Sequence, residues 1–390
     1  MDSDQDSDDD WVLLDSSSDD DRVLALSSGC TSPDCRSDDD EEVVADGPEG
    51  LFELEDVEEV PQTPPPPPKA ISGIFYHTLT GAVSYAAFDT ICCWPPKQLI
   101  PDPAFSTCSE GVTVLASTRG LVCLRGTTTG AYFIANPTTL KRTRLPRHHC
   151  DHVAHGDPAV VITFDDPYNS CADHCGHYHV VVAFPLGEGT YAYESFSSRT
   201  WQWRVAGGIS AVEQVVSSSG VGALGRAFWR TTLGYFVCYD PLAATADLVP
   251  APQEVMQWPC WELGEMEGFL CVTFMDELVN QVVVIRLHLE HRAGEISWTT
   301  LTGHFEGGCL RNRDGVMLLR SQGPAEVLMW DPTAELVVAM DLEGRTTRTI
   351  GPLSGLQYYA DFIPYVSSST GIFGDEADAE CTIAADAEAY

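Results

Sequence analysis

The feature that most constrains this chain is a strand pattern that recurs along it. Each copy has a Gly followed by a short apolar run, a gap, a second apolar run, a tight turn and a third strand. The first copy reads Gly120-Leu-Val-Cys-Leu124, Ala131-Tyr-Phe-Ile-Ala135, the turn Asn136-Pro-Thr-Thr139, then Lys141-Arg-Thr-Arg-Leu145. Later copies open at Gly225, Gly268 and Gly315, and a weaker one runs from His179 to Trp203. Their turn markers fall at Asn136, Ser197, Asp240, Glu290 and Asp331, at intervals of 61, 43, 50 and 41 residues. All but the first lie near the ~40–50 residues of a four-stranded propeller blade. One such meander cannot bury both its faces, so copies stack, and the last must pair with the first to hide its edge. Few segments hold a helical period, and the strands are rich in Val, Tyr, Phe and Trp. The segment 71–115 supplies further strands, Ile74-Phe-Tyr76 and Val83 to Phe88 among them. The pattern predicts an all-β fold, a β-propeller of about six blades over residues 70–366, with a pair of β-sandwich domains as the alternative.

Charge separates this region from its flanks. The whole chain carries a formal −37, yet residues 1–60 hold 23 acids against two arginines, and residues 367–390 hold six acids and no Lys or Arg. High net charge with little apolar content cannot offset chain entropy, so residues 1–69 and 367–390 are expected to be disordered acidic tails. The run Pro64 to Pro68 reads as a stiff polyproline II spacer at the boundary. No basic face is available for phosphate, which argues against nucleic acid as a partner. No run reaches the roughly 18 apolar residues of a membrane helix, and the start lacks the pattern of a secretory signal. Fourteen cysteines are then expected as reduced thiols, several inside apolar runs (Cys123, Cys238, Cys271), and the chain reads as cytoplasmic or nuclear.

The motifs, taken in order, resemble a known family. Ser117-Thr-Arg-Gly-Leu-Val-Cys-Leu124, then Ala131 to Thr139 with Leu145-Pro146, is similar to the opening of the plant F-box-associated (kelch-like) β-propeller. Phe164-Asp-Asp-Pro167 with His177 to Val181, and Tyr193 to Ser198 with Trp201, continue the likeness. So do Gly225 to Trp229, Val237 to Pro241, and Leu263-Gly-Glu265 with Gly268 to Cys271, while Ile71 to Tyr76 resembles the grass-type start of that domain. The resemblance covers about 71–366 and implies a substrate-recognition propeller linked to ubiquitin-dependent degradation. It departs from the family where an F-box should precede the propeller, because five prolines and 23 acids cannot build that helical bundle.

Three groups of residues are candidates for chemistry or binding. Seven of the eleven histidines fall in residues 148–179. There His148, His149 and Cys150 could meet Cys171, His174 and Cys175 around zinc, which takes about four N/S ligands. The spacing is only loosely ligand-like, and a polar inserted loop is the competing reading; no other cofactor is expected. No nucleophile elbow, metalloprotease helix or phosphate-cradling glycine cluster is present, so no enzyme activity is expected. In the N-terminal tail, Trp11, Val12, Leu13 and Leu14 lie among acids, within residues 8–15, as in short motifs that add a strand to a ubiquitin-like protein. Ser7, Ser18 and Ser37, each followed by three acids, suit an acid-directed kinase. The expected function is protein binding through propeller loops, with no membrane partner. A regulator or decoy outside the ligase complex, or a metal- or carbohydrate-binding propeller, are the alternatives.

Overall fold

The structure is a computed structural model. It describes residues 70–78, 80–88, 100–165, 176–187, 189–206, 210–211, 214–258, 261–276, 281–289, 296–303, 316–323, 325–342, 346–351 and 362–372. The chain divides into two units, Met1–Gln62 and Thr63–Tyr390, and every described residue belongs to the second.

Six sheets, antiparallel apart from a short parallel pairing of Gln322–Gly323 with Glu265 and Met266, follow one another as the blades of a propeller. Blade II shows the plan, with strands Val112–Thr118, Leu121–Gly126, Tyr132–Asn136 and Lys141–Arg144 in sequential order from axis to rim. Blade III has Ala159–Phe164, Tyr178–Gly187, Thr190–Ser197 and Gln202–Val205, with Ser210–Ala211 beside its third strand. Blade IV has Val221–Ala223, Arg226–Arg230, Tyr235–Asp240 and Thr245–Pro250. Blade V has Trp261–Met266, Phe269–Asp276, Gln281–Leu289 and Ile296–Gly303, and blade VI has Met317–Leu319, Glu326–Asp331, Leu336–Asp341 and Thr347–Ile350. Blade I joins both ends of the fold. Gly73–His77 pairs with Val83–Ala87 on one side and with Ile363–Tyr365 on the other, in the register Gly73 to Tyr365 and Phe75 to Ile363. The edge left open by a linear meander is thereby filled from the far end of the chain, as the repeat requires.

Six apolar clusters hold the ring, and each draws on two consecutive blades. Alternation within a strand decides which neighbour a residue serves. In blade III, Val180 and Val182 face blade II, whereas Val181 and Ala183 face blade IV. A strand buried on both faces therefore reads as a continuous apolar run rather than an alternating one. Cys123 and Cys271 are fully buried and Cys238 nearly so; burial pushes the thiols of Cys238 and Cys271 up to about 12, which leaves them inert packing groups.

The copies seen in the sequence begin one strand late. Gly120, Gly225 and Gly268 follow Arg119, Leu224 and Glu267, and all six residues have positive φ. Each pair is the two-residue hairpin between first and second strands, a turn whose twist matches that of the strands. In blades II, IV and V the innermost strand lies upstream of the Gly, whereas in blade VI the run after Gly315 is itself the innermost strand. The second set of markers performs as its chemistry predicts. Asn136 Oδ1 accepts from Thr138 and Thr139 N–H, Asp240 Oδ1 from Leu242 and Ala243, and Asp331 Oδ1 from Thr333 and Ala334. The hairpins and the Asn136 and Asp240 turns lie on one face, here called the turn face, whereas the Asp331 turn joins the second and third strands of blade VI and lies on the other. The longer connections, 127–131, 145–158 and 231–234 among them, lie on the opposite loop face.

The seam between blades VI and I carries polar closure as well. Ile71 N–H donates to Glu326 Oε2 at 2.9 Å, and Arg348 grips both oxygens of Glu326 at 2.6 and 2.7 Å while its guanidinium lies 4.9 Å over Phe88. Past the last strand, Ser368 and Thr370 are buried, and Asn136 Nδ2 donates to both their carbonyls at 3.0 and 2.8 Å. The packed chain therefore runs beyond 366, to at least Ile372 on the turn face.

Candidate functional site

The loop face carries two clusters of polar chemistry. The first forms where residues 146–152, between blades II and III, fold over Glu194 in the third strand of blade III. Glu194 is fully buried between Tyr193 and Ser195. Its Oε1 accepts from His149 N–H at 2.8 Å and from His149 Nδ1 at 2.7 Å; its Oε2 accepts from Cys150 N–H at 3.1 Å and His152 Nε2 at 3.0 Å. His152 Nδ1 in turn takes a hydrogen bond from the Tyr132 hydroxyl at 3.0 Å. This fixes a neutral tautomer with the proton on Nε2. His148 stacks on His152 with centroids 4.3 Å apart, and Trp203 Nε1 donates to Pro146 O at 2.7 Å.

Burial pushes the Glu194 carboxyl up, but the hydrogen bonds from His152, His149 and Cys150 outweigh it and hold it down to about 2. For His152, burial lowers the imidazole below its ordinary value, Glu194 works against this, and the charges of His148 and Arg125 add to it. The carboxylate is a clamp that closes the loop onto the blade.

Zinc fits this arrangement poorly. His148, His152 and Glu194 bring ligand atoms within 4.8 Å of one another. Yet both oxygens of Glu194 and both nitrogens of His152 are taken by protein partners, and His148 Nδ1 lies 2.6 Å from Cys150 O. A metal with about four ligands would have to break this network. Of the residues expected to hold zinc, His148, His149 and Cys150 come together around Glu194, while Cys171, His174 and Cys175 lie outside the described residues. So do Trp11, Val12, Leu13, Leu14, Ser7, Ser18 and Ser37. Glu194 and His152 complete the cluster. The signal for Glu194 was present in the sequence as an acid inside the apolar strand Tyr191 to Phe196.

The second cluster lies on the axis. A cavity of about 310 Å³ opens among the innermost strands and is lined by residues of blades I, II, III, IV and VI. Arg125, at the end of the second strand of blade II, enters from one side and Arg320, after the first strand of blade VI, from the other. Arg320 crosses the axis to blade IV, where it donates to the carbonyls of Ser218 and Gly220. Burial lowers its guanidinium to about 10, with Glu262 opposing. His77, Ser217, Ser218 and Asp157 add polar groups to the wall.

The loop face also carries exposed apolar side chains. Among the described residues nine large hydrophobic side chains are exposed, and five of them, Val153, Leu186, Leu233, Tyr235 and Met256, are on the loop face. Leu233 is 62% exposed and Met256 52%. Leu140 and Leu242 sit in turns of the opposite face, and Val205 and Leu248 on rim strands.

No family model matches the sequence, and no curated protein matches it. Among solved structures, the chain is similar to one in the Nidogen/Laminin complex at 12% identity and a TM-score of 0.41, over 76% of this chain and 99% of that one. It is also similar to a DUF4784 family protein from Bacteroides caccae (8% identity, TM-score 0.40, 75% and 73% covered). A third likeness is to the β-propeller domain of Cps50 (Swd1) from Myceliophteria thermophila (11% identity, TM-score 0.27, 74% and 84% covered). The six-bladed architecture rests on the strand pairing itself.

Proposed function

We propose that this propeller is a protein-binding module that engages its partner with the loop face, and that it performs no catalytic step. The observation that carries the reading is the gathering of five exposed large hydrophobics on the loop side of blades III and IV, the face onto which the axial cavity opens. Exposed apolar groups gathered on the face onto which a polar cavity opens suit an apolar contact combined with specific polar ones. The resemblance of 71–366 to the F-box-associated propeller extends the proposal to a partner marked for ubiquitin-dependent degradation. Because residues 1–69 offer no F-box pattern, the chain would act as a regulator, or join a ligase by a route other than direct adaptor docking.

The test compares two double variants in partner capture by proximity labelling. Leu233→Asp with Met256→Asp should abolish labelling of the partners found with the unaltered protein, and Leu140→Asp with Leu242→Asp on the turn face should not. Equal effects of the two pairs would overturn the assignment of the face. Purified adaptor should bind the full chain no tighter than about millimolar, and a micromolar complex (about −8 kcal/mol) would show a ligase subunit outright.

A further inference from the structure

The axial cavity presents two guanidinium groups that protein carboxylates leave largely unanswered. Among the described residues, no Asp or Glu oxygen lies within ion-pairing distance of Arg125 or Arg320, whereas Arg199, Arg226, Arg230, Arg286 and Arg348 each have one. Arg320 spends one nitrogen on two backbone carbonyls and leaves the rest of its fork facing the cavity. Glu262, held 3.5 Å from Arg230, offsets part of the Arg320 charge, and Asp157 is the single carboxylate among the described lining residues. Arg125 is half-buried, and its charge also bears on Tyr132 and His152 beneath the loop. Placing such cations in a partly enclosed space is unfavourable unless something restores the interactions lost from water.

The surrounding chemistry suits an anion with planar oxygens. A guanidinium fork donates two parallel N–H bonds to a carboxylate, which a lone ammonium cannot match. Ser217, Ser218 and Thr113 line the same space and supply hydroxyl donors for remaining lone pairs, whereas the Thr127 hydroxyl donates to Gly111 O. At about 310 Å³ the cavity is at the small end of ligand sites, large enough for one acidic side chain or a short dicarboxylic acid. A protein with a formal charge of −37 repels anions at long range, so the attraction has to be local.

We propose that the axial cavity is a carboxylate-binding site, with Arg125 and Arg320 as the two forks that hold the anion. The inference deepens the reading of the loop face as a protein-binding surface: the carboxylate is an Asp or Glu side chain of the bound protein, inserted into the cavity while the same partner covers the apolar groups of blades III and IV. A free dicarboxylic acid offers the same chemistry from another source.

Calorimetric titration of the full chain at low ionic strength tests this, with three probes: succinate, a capped Gly-Glu-Gly peptide and inorganic phosphate. Saturable binding of a carboxylate probe is expected at about millimolar affinity, the strength of a few charge-assisted bonds in a solvated pocket. Arg125→Gln should weaken it at least about tenfold, a change of 1.4 kcal/mol, while Arg147→Gln, an exposed cation on the neighbouring loop, should leave it within about twofold. Arg320→Lys should weaken it too, because the point charge remains but the fork is lost. Tighter binding of the peptide than of succinate assigns the source to a protein, and the reverse order assigns it to a free acid; both support the site. Absence of saturable heat with either carboxylate, equal losses in the Arg125 and Arg147 variants, or a preference for phosphate would overturn it. Partner capture depends on Leu233 and Met256, so failure here leaves the loop-face assignment standing or falling on its own measurement.

Discussion

Glu194 shows how one residue sets the loop face. Its carboxylate accepts two backbone N–H bonds and two from imidazoles, so it organises residues 146–152 over the seam between blades II and III. The charged form is favoured in the folded state, with the carboxyl held down to about 2, and its stabilisation is complete above the ordinary value of 4.5. It is lost as pH falls from there toward 2. His152 acts in the same direction: its imidazole is held neutral below its ordinary value of 6.5, so protonation of the unfolded chain begins to erode stability as pH drops below 6.5. Replacing Glu194 by Gln should lower stability at pH 7 by about 3 kcal/mol, and the gap between variant and wild type should close as pH approaches 2. Urea unfolding across that range measures it, and a gap constant with pH would show that the charge has no part in the clamp. Metal analysis of untagged protein should give less than about a tenth of an equivalent of zinc, because the clamp already uses the donors a metal needs.

At the scale of the element, the repeat is written in its turns. The residue four positions after each turn marker among the described residues has positive φ: Leu140 (60°), Trp201 (56°), Ala244 (57°) and Glu335 (53°). None is Gly, so each turn carries strain of about 1 kcal/mol that an adaptable residue would relieve. Leu140 is mostly exposed, which isolates this effect from packing. Leu140→Asn should raise the melting temperature by about 2 °C, whereas Leu248→Asn, exposed in a regularly paired strand, should not. Calorimetry of the two single variants decides between turn strain and a general effect of removing surface leucine. The hairpin glycines follow the opposite logic: a Cβ on Gly120 would meet Ser368 atoms at 2.1 to 3.0 Å, so substitution there disturbs the closing segment as well as the turn.

For the whole molecule, closure is the deciding event. Strand Ile363–Tyr365 covers the edge of Gly73–His77, and Glu326 with Arg348 ties the same seam from blade VI. A chain ending at residue 361 loses that strand together with Phe362 and Val366 of the apolar seam. It should lose a single cooperative thermal transition and self-associate through the bared edge, as followed by calorimetry and size-exclusion chromatography. Glu326→Ala should cost about 1–3 kcal/mol, because it leaves the part-buried Arg348 guanidinium and the Ile71 N–H without their acceptor. A truncated protein that melts as sharply as the full chain would mean that the ring is held by the four seams that residues 362–366 do not enter, because Ile363 and Tyr365 also pack between blades I and II.

The sequence by itself determined the fold class, because a strand-and-turn unit near 40–50 residues has few ways to bury two faces. The markers Asn136, Asp240 and Asp331 were readable since an Asx turn is closed by the residue's own neighbours. Cys123, Cys238 and Cys271 were readable as core from the apolar runs around them. Only the tertiary structure decided what meets at the loop face. Glu194 and the histidines it clamps are more than 40 positions apart, Arg125 and Arg320 nearly 200. Sequence spacing carries no information about groups brought together by ring closure. The histidine cluster therefore suggested a metal, and the fold turned it into a hydrogen-bonded clamp by supplying a buried carboxylate from another strand. The cations of the axial cavity gave no local signal, since an arginine at the end of a strand is ordinary until five blades enclose it.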